Sequence, residues 1–189
     1  MPTLYRVLDE GVTRASFGEV ATALGLAKAN TFEPEGDDGY EEVWANDART
    51  GALNYVEDPF TGQTYVSASG GEADDLIAGL SRRLNLYSPD ELIEDAHASD
   101  ASHNERVATL FRLALTFSEH DEAVRRIFEN YATQAPHPKL RTAALDAIGL
   151  QAWEELRPTV QKVAQDDPDP EVRAYAKAVL ARWIAARGA

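Results

Sequence analysis

The second half of the chain repeats itself, and a repeat constrains a fold more than any local signal does. Pro138-Lys139-Leu140-Arg141-Thr142-Ala143-Ala144-Leu145-Asp146-Ala147-Ile148 aligns with Pro170-Glu171-Val172-Arg173-Ala174-Tyr175-Ala176-Lys177-Ala178-Val179-Leu180 at an offset of 32 residues. The stretch from Glu105-Arg106-Val107 to Ala114-Leu115 repeats the apolar positions 33 residues earlier, without the Pro and the Arg. Each copy reads as a helix with an apolar stripe: Val107, Phe111, Ala114 and Leu115; Leu140, Ala144, Ala147 and Ile148; Val172, Ala176, Val179 and Leu180. Partner helices are expected after the first two, over about 121–133 and 152–165. A single stripe of this kind is too apolar to face water, so neighbouring units must stack. Trp153 and Trp183 are expected to be packing groups.

The segment Asp167-Pro168-Asp169-Pro170-Glu171-Val172-Arg173, followed by Ala176 and Val179-Leu180, resembles the HEAT repeat family. His137-Pro138-Lys139-Leu140-Arg141, with Ala144 and Ala147-Ile148, is a second copy. The likeness covers residues from about 102 to the end. It implies an α-solenoid of stacked antiparallel helix pairs, which in that family binds macromolecules along a curved face. It therefore implies a scaffold rather than a chemistry. In the family the repeated Arg commonly pairs with an Asp of a neighbouring repeat. For Arg141 and Arg173 the candidates are Asp146 and Asp169. Asp169 before Pro170 also has the form of an N-cap followed by an N1 proline.

Charge texture separates the two halves. Residues 1–100 carry 20 acidic and 6 basic side chains, whereas residues 101–189 carry 12 of each, so the net charge of −14 belongs to the first half. Two units are expected, an acidic one over 1–100 and a HEAT-like helical one over 101–189. Thr3 to Leu8 reads as a strand. Ser16-Phe17-Gly18-Glu19 has capping-box spacing, which predicts a helix over about 17–29. Residues 33–39, with Pro34, Gly36 and Gly39, read as an acidic loop. Residues 40–45, 52–57 and 63–68 alternate as strands of a meander with a face suited to the Phe17 helix. Ser69-Gly70-Gly71 leads to a helix over about 72–85, and Ser88-Pro89-Asp90-Glu91 starts another that runs to about His97. The fold class is an α+β N-terminal unit followed by an all-α helical-repeat, HEAT-like α-solenoid. Tyr40, Trp44, Tyr55, Phe60 and Tyr65 are either the core of the first unit or a binding surface, and core is the reading aromatic burial favours.

No catalytic motif emerges. The chain has no cysteine, which excludes disulfides, thiol catalysis and sulfur-based zinc sites. Glu72, Asp74 and Asp75 occupy the helix start after Gly70-Gly71 and would repel a phosphate. Glu94-x-x-His97 has the spacing of half a di-metal site, but no second copy accompanies it. No cofactor or metal is expected, and an enzyme is the lesser reading. A DNA surface is disfavoured because phosphate binding needs Lys and Arg in excess. No membrane span or secretory signal is legible, so a soluble, cytoplasmic protein is expected.

The function expected is a non-catalytic protein–protein interaction protein, an adaptor or inhibitor, without direct nucleic-acid or membrane contact. The acidic unit points to a basic partner, and Glu33, Glu35, Asp37, Asp38, Glu41, Glu42 and Trp44 are the candidate partner-binding residues. A sharper variant is an immunity protein that neutralises a nucleic-acid-targeting toxin. The alternative class is an enzyme or small-ligand carrier with a pocket between the two units.

Overall fold

The structure, a computed structural model, describes residues 3–36 and 38–187. The chain divides into two compact units at the Ser88/Pro89 junction. The first contains a five-stranded antiparallel sheet. Its strands are β1 (Leu4–Val7), β2 (Ala27–Phe32), β3 (Tyr40–Ala45), β4 (Gly51–Asp58) and β5 (Gln63–Gly70), in the order β1-β5-β4-β3-β2. The meander strands fall within two residues of their sequence assignment.

Helix α1 (Arg14–Ala23) joins β1 to β2, which lie at opposite edges of the sheet. Its cap is not Ser16-to-Glu19. The helix starts a turn earlier, where Thr13 Oγ1 accepts from the Ser16 amide at 3.2 Å and Ser16 Oγ accepts from the Thr13 amide at 2.9 Å. It also stops earlier than predicted, because Gly25 takes a left-handed φ of 81° just after the Leu24 cap. Residues 27–32, of which the first three were expected to continue the helix, form strand β2 instead. Ala27-Lys28-Ala29 has no local strand preference. Pairing with β3, from Ala27–Ala45 to Phe32–Glu41, sets its conformation.

Helix α1 and helix α2 (Ala73–Ser81) cover one face of the sheet. Phe17 meets Trp44 and Tyr55 at centroid distances of 6.3 and 5.0 Å, and Leu76, Ile77 and Leu80 close the core over Leu53, Val66 and Ala68. At the β1 edge the chain folds back to close the sheet. Leu8 bridges Leu86, the Tyr87 amide donates to the Val7 carbonyl at 3.0 Å, and the Asp9 amide donates to the Asn85 carbonyl at 3.0 Å.

The second unit is all helical: α3 (Pro89–His97), α4 (His103–Thr116), α5 (Glu122–Gln134), α6 (Pro138–Gln151), α7 (Arg157–Asp166) and α8 (Pro170–Arg187). Helix α3, placed with the first unit on the sequence, packs here against α4 and α5. The pairing also differs from expectation. Helices α4, α6 and α8 each pack against the helix before them rather than the one after, giving the hairpins α3/α4, α5/α6 and α7/α8. Alternate helices also touch, α4–α6–α8 in one layer and α3–α5–α7 in the other. Helix α6 is central and packs against α4, α5 and α8, so Leu140, Ala143, Ala144, Leu145, Ala147 and Ile148 are all buried around its circumference. The buried stripe of α4 is Leu110, Phe111, Leu113 and Ala114, with Val107 and Leu115 only half-buried. Trp153 and Trp183 are buried as expected.

Arginines tie the hairpins to their connections. The Arg141 guanidinium forks onto Asp167, Nε to Oδ2 at 2.7 Å and Nη2 to Oδ1 at 2.9 Å, with side chains 7% and 3% exposed. Its partner is therefore Asp167 and not Asp146 or Asp169. Asp146 accepts from the Tyr175 hydroxyl at 2.5 Å. Asp169 accepts from the Glu171 amide at 2.8 Å, as an N-cap does. Arg141 also donates to the Ala135 carbonyl at 2.9 Å, and Arg173 to the Asp167 carbonyl at 2.5 Å. Arg106, two residues away from the aligned repeat position, donates to the Ala101 and Ser99 carbonyls at 3.0 and 2.9 Å. Each helix of one layer thus holds the joint that precedes it.

Candidate functional site

On strand β3 the side chains of Tyr40, Glu42 and Trp44 alternate inward and are all buried. Glu42 is 2% exposed, an expensive place for a carboxylate unless it is fully hydrogen-bonded. Three donors reach it. Lys28 Nζ and the Tyr40 hydroxyl each donate to Oε1 at 2.6 Å, and Trp44 Nε1 donates to Oε2 at 3.0 Å. Burial pushes the Glu42 pKa up, but the hydrogen bonds from Lys28, Tyr40 and Trp44 outweigh it and hold the carboxyl below the usual range.

The network continues along the sheet. Arg14 lies 3.5 Å above the Tyr40 ring centroid and forks onto Glu57, Nε to Oε1 at 2.6 Å and Nη2 to Oε2 at 2.5 Å. The Tyr55 hydroxyl donates to Glu57 Oε1 at 2.9 Å. Hydrogen bonding from Arg14 lowers the Glu57 pKa against the smaller opposing effect of burial. Arg14, Lys28, Glu42 and Glu57 are each paired within this network, so the cluster holds α1 to the sheet and offers no free base or nucleophile.

A second group of carboxylates lies elsewhere. The loop between β2 and β3 separates two open clefts that share Asp38 and Gly39. One, of about 440 Å³, is lined by Arg14, Tyr40, Glu57 and Asp58 among others. The other, of about 670 Å³, is lined by Glu33, Glu35, Asp38 and Glu41 with Phe32 and Val56, and among the described residues no lysine or arginine lines it. Phe32, Glu41 and Val56 form one row across β2, β3 and β4, which makes the cleft's floor. The arrangement is suited to a cationic group carried on an apolar stem.

The candidate residues therefore divide. Glu33, Glu35, Asp38 and Glu41 meet at one cleft. Asp37 lies outside the described residues. Glu42 and Trp44 face the core and are withdrawn from any partner surface, which corrects their assignment. The alternation of β3 carried that signal, because Glu42 sits between two aromatic residues at i±2 and must share their face. Sequence reasoning missed Lys28, Arg14 and Phe32. Lys28 and Phe32 gain their places only once β2 pairs with β3. Of the five aromatic residues, Tyr40, Trp44 and Tyr55 are core. Phe60 is 55% exposed, and Tyr65 is half-buried beside Tyr5 at 6.2 Å.

In the second unit the His103 and His137 rings meet edge to face with centroids 4.0 Å apart. Among the described residues, no group of three or more His, Asp or Glu side chains is placed to hold a metal ion. No helix of the described residues is long and apolar enough to cross a membrane. No family model, curated protein or solved structure matches the chain.

Proposed function

We propose that the chain is a non-catalytic protein–protein interaction protein, an adaptor or inhibitor, whose acidic first unit binds a basic partner and whose helix hairpins are a HEAT-like scaffold. The observation that carries this reading is the cleft of Glu33, Glu35, Asp38 and Glu41, four carboxylates gathered with no lining cation among the described residues, beside an exposed Phe32. Such a surface raises the local concentration of a positive partner and speeds encounter more than it strengthens the final complex. The layered helices, with small Ala144, Ala147 and Ala176 buried where they approach, support the scaffold reading. The buried Arg141–Asp167 pair supports it too, since it joins two successive hairpins as the HEAT-like pattern implies.

The test is capture of partners from native lysate on the immobilised full chain, at low and high salt, with wild type beside a variant carrying Glu33→Gln, Glu35→Gln, Asp38→Asn and Glu41→Gln. The expected result is a stoichiometric basic protein retained by wild type at low salt, released by high salt and lost by the variant. Equal capture by both chains would remove the cleft from the interface. Recovery of no protein at either salt would overturn the reading.

A further inference from the structure

The two edges of the sheet are treated differently. The β1 edge is closed by the chain itself through Asn85, Leu86 and Tyr87. No described strand pairs with the outer side of β2, and all six of its residues from Ala27 to Phe32 are exposed. An exposed edge presents a row of backbone donors and acceptors, and proteins ordinarily blunt one with charge, proline or a covering segment. Strand β2 has no proline and one charge, Lys28, whose ammonium is drawn to Glu42. A register shift between Lys28 and Asn30 interrupts the edge, which leaves Asn30–Phe32 as its regular part. There the Thr31 amide donates to a side-chain acceptor, Asn30 Oδ1, at 2.9 Å. Phe32 is half exposed at the same place. The acidic cleft opens where this edge ends.

We propose that the β2 edge at Asn30–Phe32 receives an extended, lysine- or arginine-rich segment of a partner protein as a sixth strand. The inference rests on the basic-partner reading and gives that partner a conformation. Backbone hydrogen bonds to the edge supply the pairing, as in other β-augmentation complexes. Basic side chains on the Phe32–Glu41 face lie along Phe32 and end among Glu33, Glu35 and Glu41. A second copy of this chain is the less suitable occupant, because it brings one net charge of −14 against another.

The experiment titrates the 189-residue chain into a fluorescein-labelled octapeptide alternating lysine with valine and follows anisotropy at low salt. Two controls accompany it, the same peptide with alternate backbone nitrogens methylated and the Thr31→Pro variant, since proline is tolerated on an edge strand. The parent peptide is expected to bind and to slow exchange of the Thr31 amide proton. Methylation is expected to weaken binding about tenfold or more, the loss of one or two hydrogen bonds. Thr31→Pro does the same with an unchanged melting temperature. If that variant does not fold, the methylated peptide decides alone. Glu33→Gln, Glu35→Gln and Glu41→Gln together weaken binding and flatten its salt dependence.

Binding that methylation leaves unaffected, but the three glutamines abolish, overturns strand addition while the acidic cleft keeps its basic partner. No binding of the parent peptide overturns the proposal. A concentration-dependent dimer of the chain alone, made monomeric by Thr31→Pro, assigns the edge to a second copy and overturns it as well.

Discussion

Individual side chains in this protein are governed by whether a buried charge finds all its partners. Glu42 does, through Lys28, Tyr40 and Trp44. Asp167 does through Arg141, the Asp169 amide and the Arg173 side chain nearby; burial again opposes ionisation, and the hydrogen bonds from Arg141 and the Asp169 amide again lower the pKa. A carboxylate with a lower pKa when folded binds fewer protons folded than unfolded, so its stabilisation is complete above the unfolded pKa of about 4. It is lost as pH falls through the folded value. Unfolding free energy should therefore drop on acidification below about pH 4, and the drop should be shallower in Glu42→Gln and Asp167→Asn. Coincident pH profiles for the three chains in chemical denaturation would show that other groups are responsible. At pH 7, Glu42→Gln is expected to cost about 1–3 kcal/mol, because Lys28 loses its partner. Gly39 matters for a different reason. A Cβ there would lie 2.3 Å from the Glu57 carbonyl oxygen, which the β4 backbone cannot withdraw. Gly39→Ala should destabilise the first unit by about 1–3 kcal/mol in the same measurement.

At the scale of elements, start and stop signals were legible where the signal is local. Pro138 and Pro170 open their helices, Asp169 caps one, and the three meander strands show their period of two. Helix α1 was misread because two capping patterns, Thr13–Ser16 and Ser16–Glu19, overlap, and only one can form. Thr13→Ala should accordingly destabilise by about 1 kcal/mol, and Glu19→Ala should leave stability nearly unchanged. A loss of stability on Glu19→Ala larger than on Thr13→Ala would contradict the observed cap. Strand β2 was missed because its pairing with β3 overrides a sequence that reads as helix. The resemblance implies that Arg141 pairs with an aspartate, but the candidates read from the sequence, Asp146 and Asp169, are both replaced by Asp167. Asp167 lies on the connection between α7 and α8, and only the hairpin packing brings it to α6. Arg141→Ala should destabilise the second unit by about 3–5 kcal/mol, since it strands a buried carboxylate. Adding Asp167→Asn to Arg141→Ala should recover part of that loss in a double-mutant cycle.

For the molecule as a whole, two cores imply two addresses for damage. The Phe17–Trp44–Leu80 cluster is contained in the first unit, and the layers around α6 in the second. In hydrogen-exchange mass spectrometry, Arg141→Ala should accelerate exchange in α5, α6 and α8 and leave β3 and β4 at wild-type rates. Acceleration in both units would show that they unfold as one. The charge asymmetry between the halves, visible in the sequence, carries over into the structure as the cleft at Glu33, Glu35, Asp38 and Glu41.

Legible from the residues alone are which segments are periodic, where most helices begin, that an antiparallel meander precedes a set of helices, and that no disulfide can hold them. Those properties are written in neighbours along the chain: caps, turns and the spacing of apolar side chains. Long-range packing settles that residues 27–32 are an edge strand, that Glu42 meets Lys28, that Arg141 meets Asp167, and that α4, α6 and α8 pair with the helices before them. Each of these depends on which distant surface a segment meets. A buried charge or a weakly biased strand takes the conformation that supplies its missing hydrogen bonds, wherever in the chain their partners lie.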